Sequence, residues 1–528
     1  MIERVRVGAL VAAALLLAVT GAGCGSGSGE GDGKADGKNR ARPSADAPAA
    51  SDPGRAGLPA SLTGQEPDWK KCKAPTQADG SAAQAPGGEW KCATLKAPID
   101  YRKPTGATIG IAVIRSEAKN SSRRIGSLLF NFGGPGGSGV AALPKAAGGF
   151  GTLHERYDLV GFDPRGVAES SAVICRDSKQ SEAAFRMDST PDTAAEEKAF
   201  ITDSTAFGAG CAKRSGTVLP HVGTTNAARD MDLIRQVLGD DKLHYLGFSY
   251  GTELGGVYAH LFPSRVGRLV LDAVVDPAAD YVGHARNQTL GFQRALDNYF
   301  TSRGVGAKDG TARVVRLLAE LDREPLPTDE GRTLTEGLAL TGIILPLYSE
   351  EQWPSLTQAL NDAESGDGTR LLALAESYNG RDADGSYTAQ DHAQRAISCA
   401  DTTGRATAAE VRSRHLAELT AVSPVFGPYL AWDLAGWCAD WPVAGESGTP
   451  EVAAKGAAPI LVVGTTGDPA TPYEGARRMA DELGAGVGVL VTNKGEGHGA
   501  YGNGACVTDT IDAYLLAGTV PADGKTCS

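Results

Sequence analysis

Short apolar runs alternate with amphipathic stretches along most of this chain. Thr108 to Ile114 alternates with a period of two, as a strand with one covered face does. Ile125 to Phe132 and Tyr157 to Phe162 are unbroken apolar runs, the pattern of strands buried on both faces. Ala227, Met231, Ile234 and Leu238 recur at i, i+4, i+7 and i+11, which predicts a helix capped by Thr224 or Thr225 and ended by Gly239. A strand over 243–248, a helix to about His260 and a buried strand over Arg268 to Ala273 follow. This alternation predicts an α/β fold, a mostly parallel sheet covered by helices on both faces. From 277 to 425 the strand signals fade. Leu290–Phe300, Ala312–Leu321, Trp353–Ala363 and Ala408–Leu419 read as helices there, so the segment is expected to be an inserted helical cap. The sheet resumes at Ala458–Gly464, continues with a helix through Ala476 and Leu483 and a strand at Val487–Val491, and closes on a helix near Val507–Leu516.

The start of the chain follows a different pattern. Arg4 and Arg6 precede an apolar run from Gly8 to Val19 that is short for a bilayer span. Thr20-Gly21-Ala22-Gly23-Cys24 then resembles a bacterial lipobox, with Gly21 where leucine is common. Residues 1–24 are therefore expected to be an export signal. The open alternatives are lipidation at Cys24, plain secretion and a retained anchor. Residues 25–58 carry almost no large apolar side chain and are expected to form a flexible tether. The core would then comprise 59–276 and 426–528, interrupted by the cap at 277–425.

With 528 residues the chain can bury a large core, and its formal charge of −12 argues against a nucleic-acid partner. The same charge suits a cationic substrate such as a free peptide N-terminus. Membrane contact is expected only through a lipid anchor. Nine cysteines are present. Setting Cys24 aside leaves Cys72, Cys92, Cys175, Cys211, Cys399, Cys438, Cys506 and Cys527, and an even number in an exported chain favours disulfides. Nearest-neighbour pairing is the expectation. No Cys/His spacing suits zinc, so neither a metal nor another cofactor is called for.

The chemistry centres on Gly247-Phe248-Ser249-Tyr250-Gly251, a G-x-S-x-G between a strand and a helix. A serine on so sharp a turn projects its hydroxyl, and the flanking glycines leave room for the backbone. Alone, the same pattern describes an ordinary Gly-rich turn with a buried serine. A serine nucleophile needs a histidine base and a carboxylate to orient it, and the α/β-hydrolase order is Ser…Asp…His. Of eight histidines, His498 alone follows a late strand in a Gly-rich loop. Asp468 directly follows a buried strand, whereas Asp440 and Asp481 do not. The Tyr250 N–H is expected to be one oxyanion donor. The second comes from the run Gly133 to Gly139, with Gly134 favoured over Gly133. Asp163-Pro164-Arg165-Gly166 reads as a structural loop, or as a brace if Asp163 and Arg165 pair.

Several motifs together resemble one family. Asn131-Phe132-Gly133-Gly134-Pro135-Gly136-Gly137-Ser138-Gly139 is similar to the loop of proline iminopeptidase-type hydrolases, with Phe132 in place of a histidine, and closer to the tripeptidyl aminopeptidase branch. Gly247 to Thr252, Leu271-Asp272-Ala273-Val274-Val275-Asp276-Pro277 and Asp468-Pro469-Ala470-Thr471-Pro472 also look like that branch. The resemblance runs from about residue 69 to the C-terminus. It implies an α/β-hydrolase fold, the triad Ser249, Asp468 and His498, and release of short peptides from free N-termini through an acyl-enzyme. Relatives of this branch include esterases, so a cell-envelope carboxylesterase or lipase-like enzyme is the alternative. The resemblance also implies cap carboxylates that hold the substrate ammonium, for which Glu350 and Glu351 beside Trp353 are candidates.

Overall fold

The computed structural model describes residues 57–74, 85–329 and 331–528. The export signal, Cys24 and the tether as far as residue 56 lie outside the described residues. Among the described residues the strands are β1 (Lys70–Lys71), β2 (Lys91–Pro98), β3 (Thr108–Ser116), β4 (Gly126–Asn131), β5 (Tyr157–Phe162), β6 (Leu243–Phe248), β7 (Val266–Asp272), β8 (Leu326–Pro327), β9 (Thr333–Leu334), β10 (Ile460–Gly467), β11 (Gly488–Glu496) and β12 (Lys525–Cys527). Ten of them form one sheet in the order β1-β2-β3-β5-β4-β6-β7-β10-β11-β12. The pairings from β1 to β5 are antiparallel, and every pairing from β5 through β4 to β12 is parallel.

The parallel strands are apolar along their whole length because helices cover both faces. On one face Ala227, Met231 and Ile234 of helix Thr224–Val237 join Leu254 and Tyr258 of helix Tyr250–Leu261 against Leu129, Tyr245 and Leu271. On the other, Leu143 of helix Gly139–Ala146 and Ile511 and Leu515 of helix Ala505–Ala517 cover Leu128, Leu246 and Val270.

Between β7 and β10 the chain leaves the sheet and forms a helical layer with its own core, including Phe292, Leu317, Ile343, Leu356 and Trp432. This layer extends past 425, since helix Gly427–Gly436 packs into the same core. It also recruits two helices from outside the expected cap. Ser178–Phe185 lies in, and Ala194–Ser215 begins in, the segment bounded by Cys175 and Cys211, which reads from sequence as a polar surface excursion. Phe185, Phe200 and Ile201 pack against the insertion's core. Both helices begin with a capping box, Asp177 with Gln180 and Thr193 with Glu196, a signal legible in the sequence.

Disulfides join Cys72 to Cys92, Cys175 to Cys211, Cys399 to Cys438 and Cys506 to Cys527, the nearest-neighbour pairs. Among the described residues no helix is long and apolar enough to cross a membrane.

Candidate active site

Because β6, β7, β10 and β11 are adjacent and parallel, their carboxyl ends open on one edge of the sheet. Ser249 follows β6, Asp272 ends β7, Asp468 follows β10 and His498 follows β11. Residues more than 200 positions apart in the chain are brought to one edge by topology alone.

Ser249 has φ 56° and ψ −126°, an unfavourable conformation for a residue with a side chain. It persists because its neighbours over-determine it. The Ser249 N–H donates to the Asp272 carbonyl at 3.1 Å, and the Ser249 carbonyl accepts from the Thr252 N–H at 2.8 Å and the Thr252 hydroxyl at 2.7 Å. The Tyr245 hydroxyl donates to the Gly251 carbonyl at 2.8 Å. The elbow glycines are sterically required. A Cβ on Gly247 would lie 2.5 Å from the Gly251 oxygen, and one on Gly251 would lie 2.8 Å from the Asn131 oxygen.

The Gly-rich loop after β4 presses on this turn. A Cβ on Gly133 would lie 2.7 Å from the Ser249 Cβ and 3.2 Å from the Tyr250 nitrogen. Gly133 donates its N–H to Asn131 Oδ1 at 2.9 Å, so that donor is occupied and Gly134 is favoured as the second oxyanion donor. The Tyr250 N–H is the first of helix Tyr250–Leu261, one of the amides that such a helix leaves without an internal partner. Asp163 fastens the exit of the loop, accepting from the Ser138 hydroxyl at 2.6 Å and the Val140 N–H at 3.1 Å. Burial pushes its carboxyl up to about 6 against those hydrogen bonds. Asp163 and Arg165 do not pair with each other. Arg165 instead makes a buried two-pronged contact with Asp230, at 2.7 Å on each side.

His498 Nδ1 lies 2.9 and 3.0 Å from the two carboxylate oxygens of Asp468. Asp468 is fully buried and also accepts from the N–H groups of Ala470 and Thr471 and from the Thr471 hydroxyl. With Nδ1–H held by the carboxylate, the His498 lone pair sits on Nε2, the tautomer a general base requires. Burial disfavours the imidazolium, but the charge and hydrogen bonds of Asp468, with Asp272 behind it, outweigh this and leave the His498 pKa above its usual value. Tyr348 of the insertion closes over the ring, edge-on with centroids 5.3 Å apart, and its carbonyl accepts the His498 N–H at 2.8 Å.

Asp272 was not singled out for a role by its residue type, yet it ties the two halves together. Its carbonyl holds Ser249, and its carboxylate accepts from the Ala500 N–H at 3.0 and 3.1 Å and the Tyr501 N–H at 2.8 Å. Burial pushes this carboxyl up to about 6, opposed by those hydrogen bonds.

A cavity of about 920 Å³ opens beside Ser249, Tyr250 and Gly134, roofed by the helical layer. Phe207, Phe292, Ile344 and Phe426 give it apolar walls. Glu253, one turn beyond Ser249, lines it together with Asp401 and Glu446. Among the described residues none of these three carboxylates lies within ion-pair distance of a Lys or Arg. Burial pushes Glu253 up to about 7. Burial and the nearby Glu253 raise Asp401 as well, opposed by the hydrogen bonds it accepts from Thr224. Glu350 and Glu351 do not belong to this cavity. Both are exposed at the entry to helix Trp353–Glu364, whose apolar stripe from Trp353 turns into the insertion's core and leaves them facing outward. Glu253 and Asp401 escape a sequence reading because nothing in their local pattern marks them, and Thr471 enters it only as part of the Asp468–Pro472 motif. Among the described residues no cluster of His, Cys, Asp or Glu could hold a metal ion.

The family model described as "TAP-like protein" matches residues 423–527. Serine protease Hip1 of Mycobacterium tuberculosis is 38% identical over 501 residues, covering 90% of this chain and 93% of that protein. Tripeptidyl aminopeptidase of Streptomyces lividans is 32% identical over 461 residues, covering 83% of each. Carboxylesterase B of Mycobacterium tuberculosis is 36% identical over 504 residues, covering 91% of this chain and 94% of that protein.

Proposed function

This chain belongs to the TAP-like α/β-hydrolases and is a serine hydrolase, and from that premise we propose that it is an exported aminopeptidase releasing short peptides from free N-termini. Ser249 attacks the scissile carbonyl, His498 takes its proton through Nε2, and Asp468 stabilises the imidazolium that results. The Tyr250 and Gly134 N–H groups receive the oxyanion. The proton then passes from His498 to the leaving amine, and water resolves the acyl-enzyme by the same steps in reverse order.

The observation that carries the choice of substrate is the group of carboxylates in the cavity. Glu253, Asp401 and Glu446 converge beside the proposed nucleophile, and among the described residues no basic side chain is paired to them. Such a group favours a ligand that brings positive charge. A substrate's terminal ammonium supplies it, in a cavity large enough for an acyl group of several residues. The apolar walls support the second reading, an esterase for short acyl chains, and a relative carries a carboxylesterase name. Four disulfides support export, because such bonds persist in oxidising compartments. Lipidation at Cys24 would then tether the enzyme to the membrane's outer face.

Purified enzyme should release di- or tripeptides from chromogenic peptides with a free amine, and N-acetylation should abolish this. Equal cleavage of acetylated peptides, or turnover of short esters with negligible peptide cleavage, refutes the aminopeptidase reading. A fluorophosphonate probe should label the wild type and not Ser249→Ala.

A further inference from the structure

Helix Gln390–Asp401 of the insertion touches both sides of the oxyanion hole. At its C-terminal end, Asp401 Oδ1 accepts the Thr224 N–H at 2.7 Å and Asp401 Oδ2 accepts the Thr224 hydroxyl at 2.7 Å. The Thr224 oxygen in turn lies 2.5 Å from the hydroxyl of Tyr250, whose side chain is almost fully buried. Since Thr224 gives its only hydroxyl proton to the carboxylate, Tyr250 must donate to Thr224. The chain Tyr250–Thr224–Asp401 therefore has one direction and ends on an acceptor. Nearer its N-terminus, the same helix lies against the Gly-rich loop. Gln394 Nε2 donates to the Gly134 carbonyl at 3.4 Å, and a Cβ on Gly136 would come within 2.6 Å of the Gln390 oxygen and 2.8 Å of the Gln394 nitrogen.

The helix is itself pinned. Cys399 is bonded to Cys438, and Arg395 donates to the carbonyls of Ser204, Gly436 and Trp437. The Glu446 and Ser447 N–H groups bind the Ala400 and Asp401 carbonyls at 2.9 and 3.0 Å. Arg395 spans from this helix to the helices that wall the cavity, so the substrate roof and the oxyanion loop share one support.

We propose that Asp401 is a positioning residue for acyl transfer, which aims the Tyr250 N–H by holding the Tyr250 side chain through Thr224. The inference rests on Ser249 and Tyr250 forming the reacting site, and not on the identity of the acyl group. Tyr250 follows the strained Ser249 directly, so rotation of its buried ring would be transmitted to the N–H beside the nucleophile. Placing the last link on the insertion makes the donor's aim depend on the roof being seated.

The test uses p-nitrophenyl acetate, which carries no ammonium, with full-length enzyme. Tyr250→Phe and Thr224→Val should each lower kcat about tenfold, short of the ~10²–10³ for outright loss of a donor, with KM within about twofold. Thr224→Ser, which keeps the hydroxyl, should restore kcat. The double variant Tyr250→Phe/Thr224→Val should be no slower than either single one, since both break the same chain. Asp401→Asn should resemble Thr224→Val. Unchanged kcat in Tyr250→Phe, multiplicative losses in the double variant, or failure of Thr224→Ser to restore rate would overturn the proposal. Tyr250→Phe preserves ring volume and keeps the test decisive if Thr224→Val does not fold. Fluorophosphonate labelling of Ser249 in the wild type is read separately. Loss of labelling there would refute the reacting site itself, whereas intact labelling with unchanged Tyr250→Phe kinetics refutes only the role of Asp401.

Discussion

Ser249 illustrates how much of the proposed nucleophile's character is imposed from outside. Its φ of 56° comes with a cost of roughly 1–3 kcal/mol that no local interaction repays by itself. Asp272 is the residue that most directly enforces it, because one aspartate holds the Ser249 N–H with its carbonyl and the His498 loop with its carboxylate. Asp272→Asn would replace a carboxylate oxygen with an NH₂ facing backbone N–H groups. Stability should fall by about 1–3 kcal/mol, and kcat by about 10–100-fold as the two loops drift apart. A folded Asp272→Asn enzyme with wild-type kcat would show that the two loops hold their own positions.

At the scale of elements, the parallel strands and the helices beside them announce themselves in the sequence because each has one clear period. The insertion's helices do so unevenly. Glu336–Leu347 is apolar on every side, so it presents no stripe, and it is a helix because the insertion's core surrounds it. The stretch expected as one helix over Ala408–Leu419 contains a π-helical turn at Val411–His415. Helix Gln390–Asp401 has no sequence mark of its importance, which comes from what it touches. The disulfide Cys399–Cys438 closes a separation of 39 residues, and replacing both cysteines with serine should cost about 2–5 kcal/mol in global stability. Hydrogen exchange should show the loss concentrated in helices Gln390–Asp401 and Gly427–Gly436. Uniform loss across the sheet would contradict a local role for this bond.

On the scale of the whole molecule, sheet and insertion enclose a cavity in which charge decides the pH response. In its proposed role His498 acts as a base only when neutral, and Asp468 raises its pKa, so activity on every substrate should fall with acid at a pH above the 6.5 of an ordinary histidine. Glu253, raised to about 7, must also lose its proton to bind an ammonium, which steepens the acid limb for peptides alone. A peptide's own amine becomes neutral near a pKa of about 7.7–8.0, so kcat/KM for free-amine peptides should fall again above that range. Acetate esters carry no amine and should lack the alkaline limb. Superimposable profiles for the two substrates would count against an ammonium subsite.

The α/β alternation, the sharp turn at Ser249, and Asp468 and His498 as the acid and base candidates are all legible in the amino-acid order. These are local facts, since strand and helix periods, turn glycines and loop position are all written within a few residues. Which carboxylates line the cavity was settled by tertiary packing. Glu350 and Glu351 lie on the outside, while Glu253, Asp401 and Glu446 come together from three distant segments. It likewise decided that the segment between Cys175 and Cys211 walls the cavity and that Asp401 reaches Tyr250 through Thr224. A cavity's lining is set by packing between segments distant in the chain, and no period or spacing within one segment encodes it.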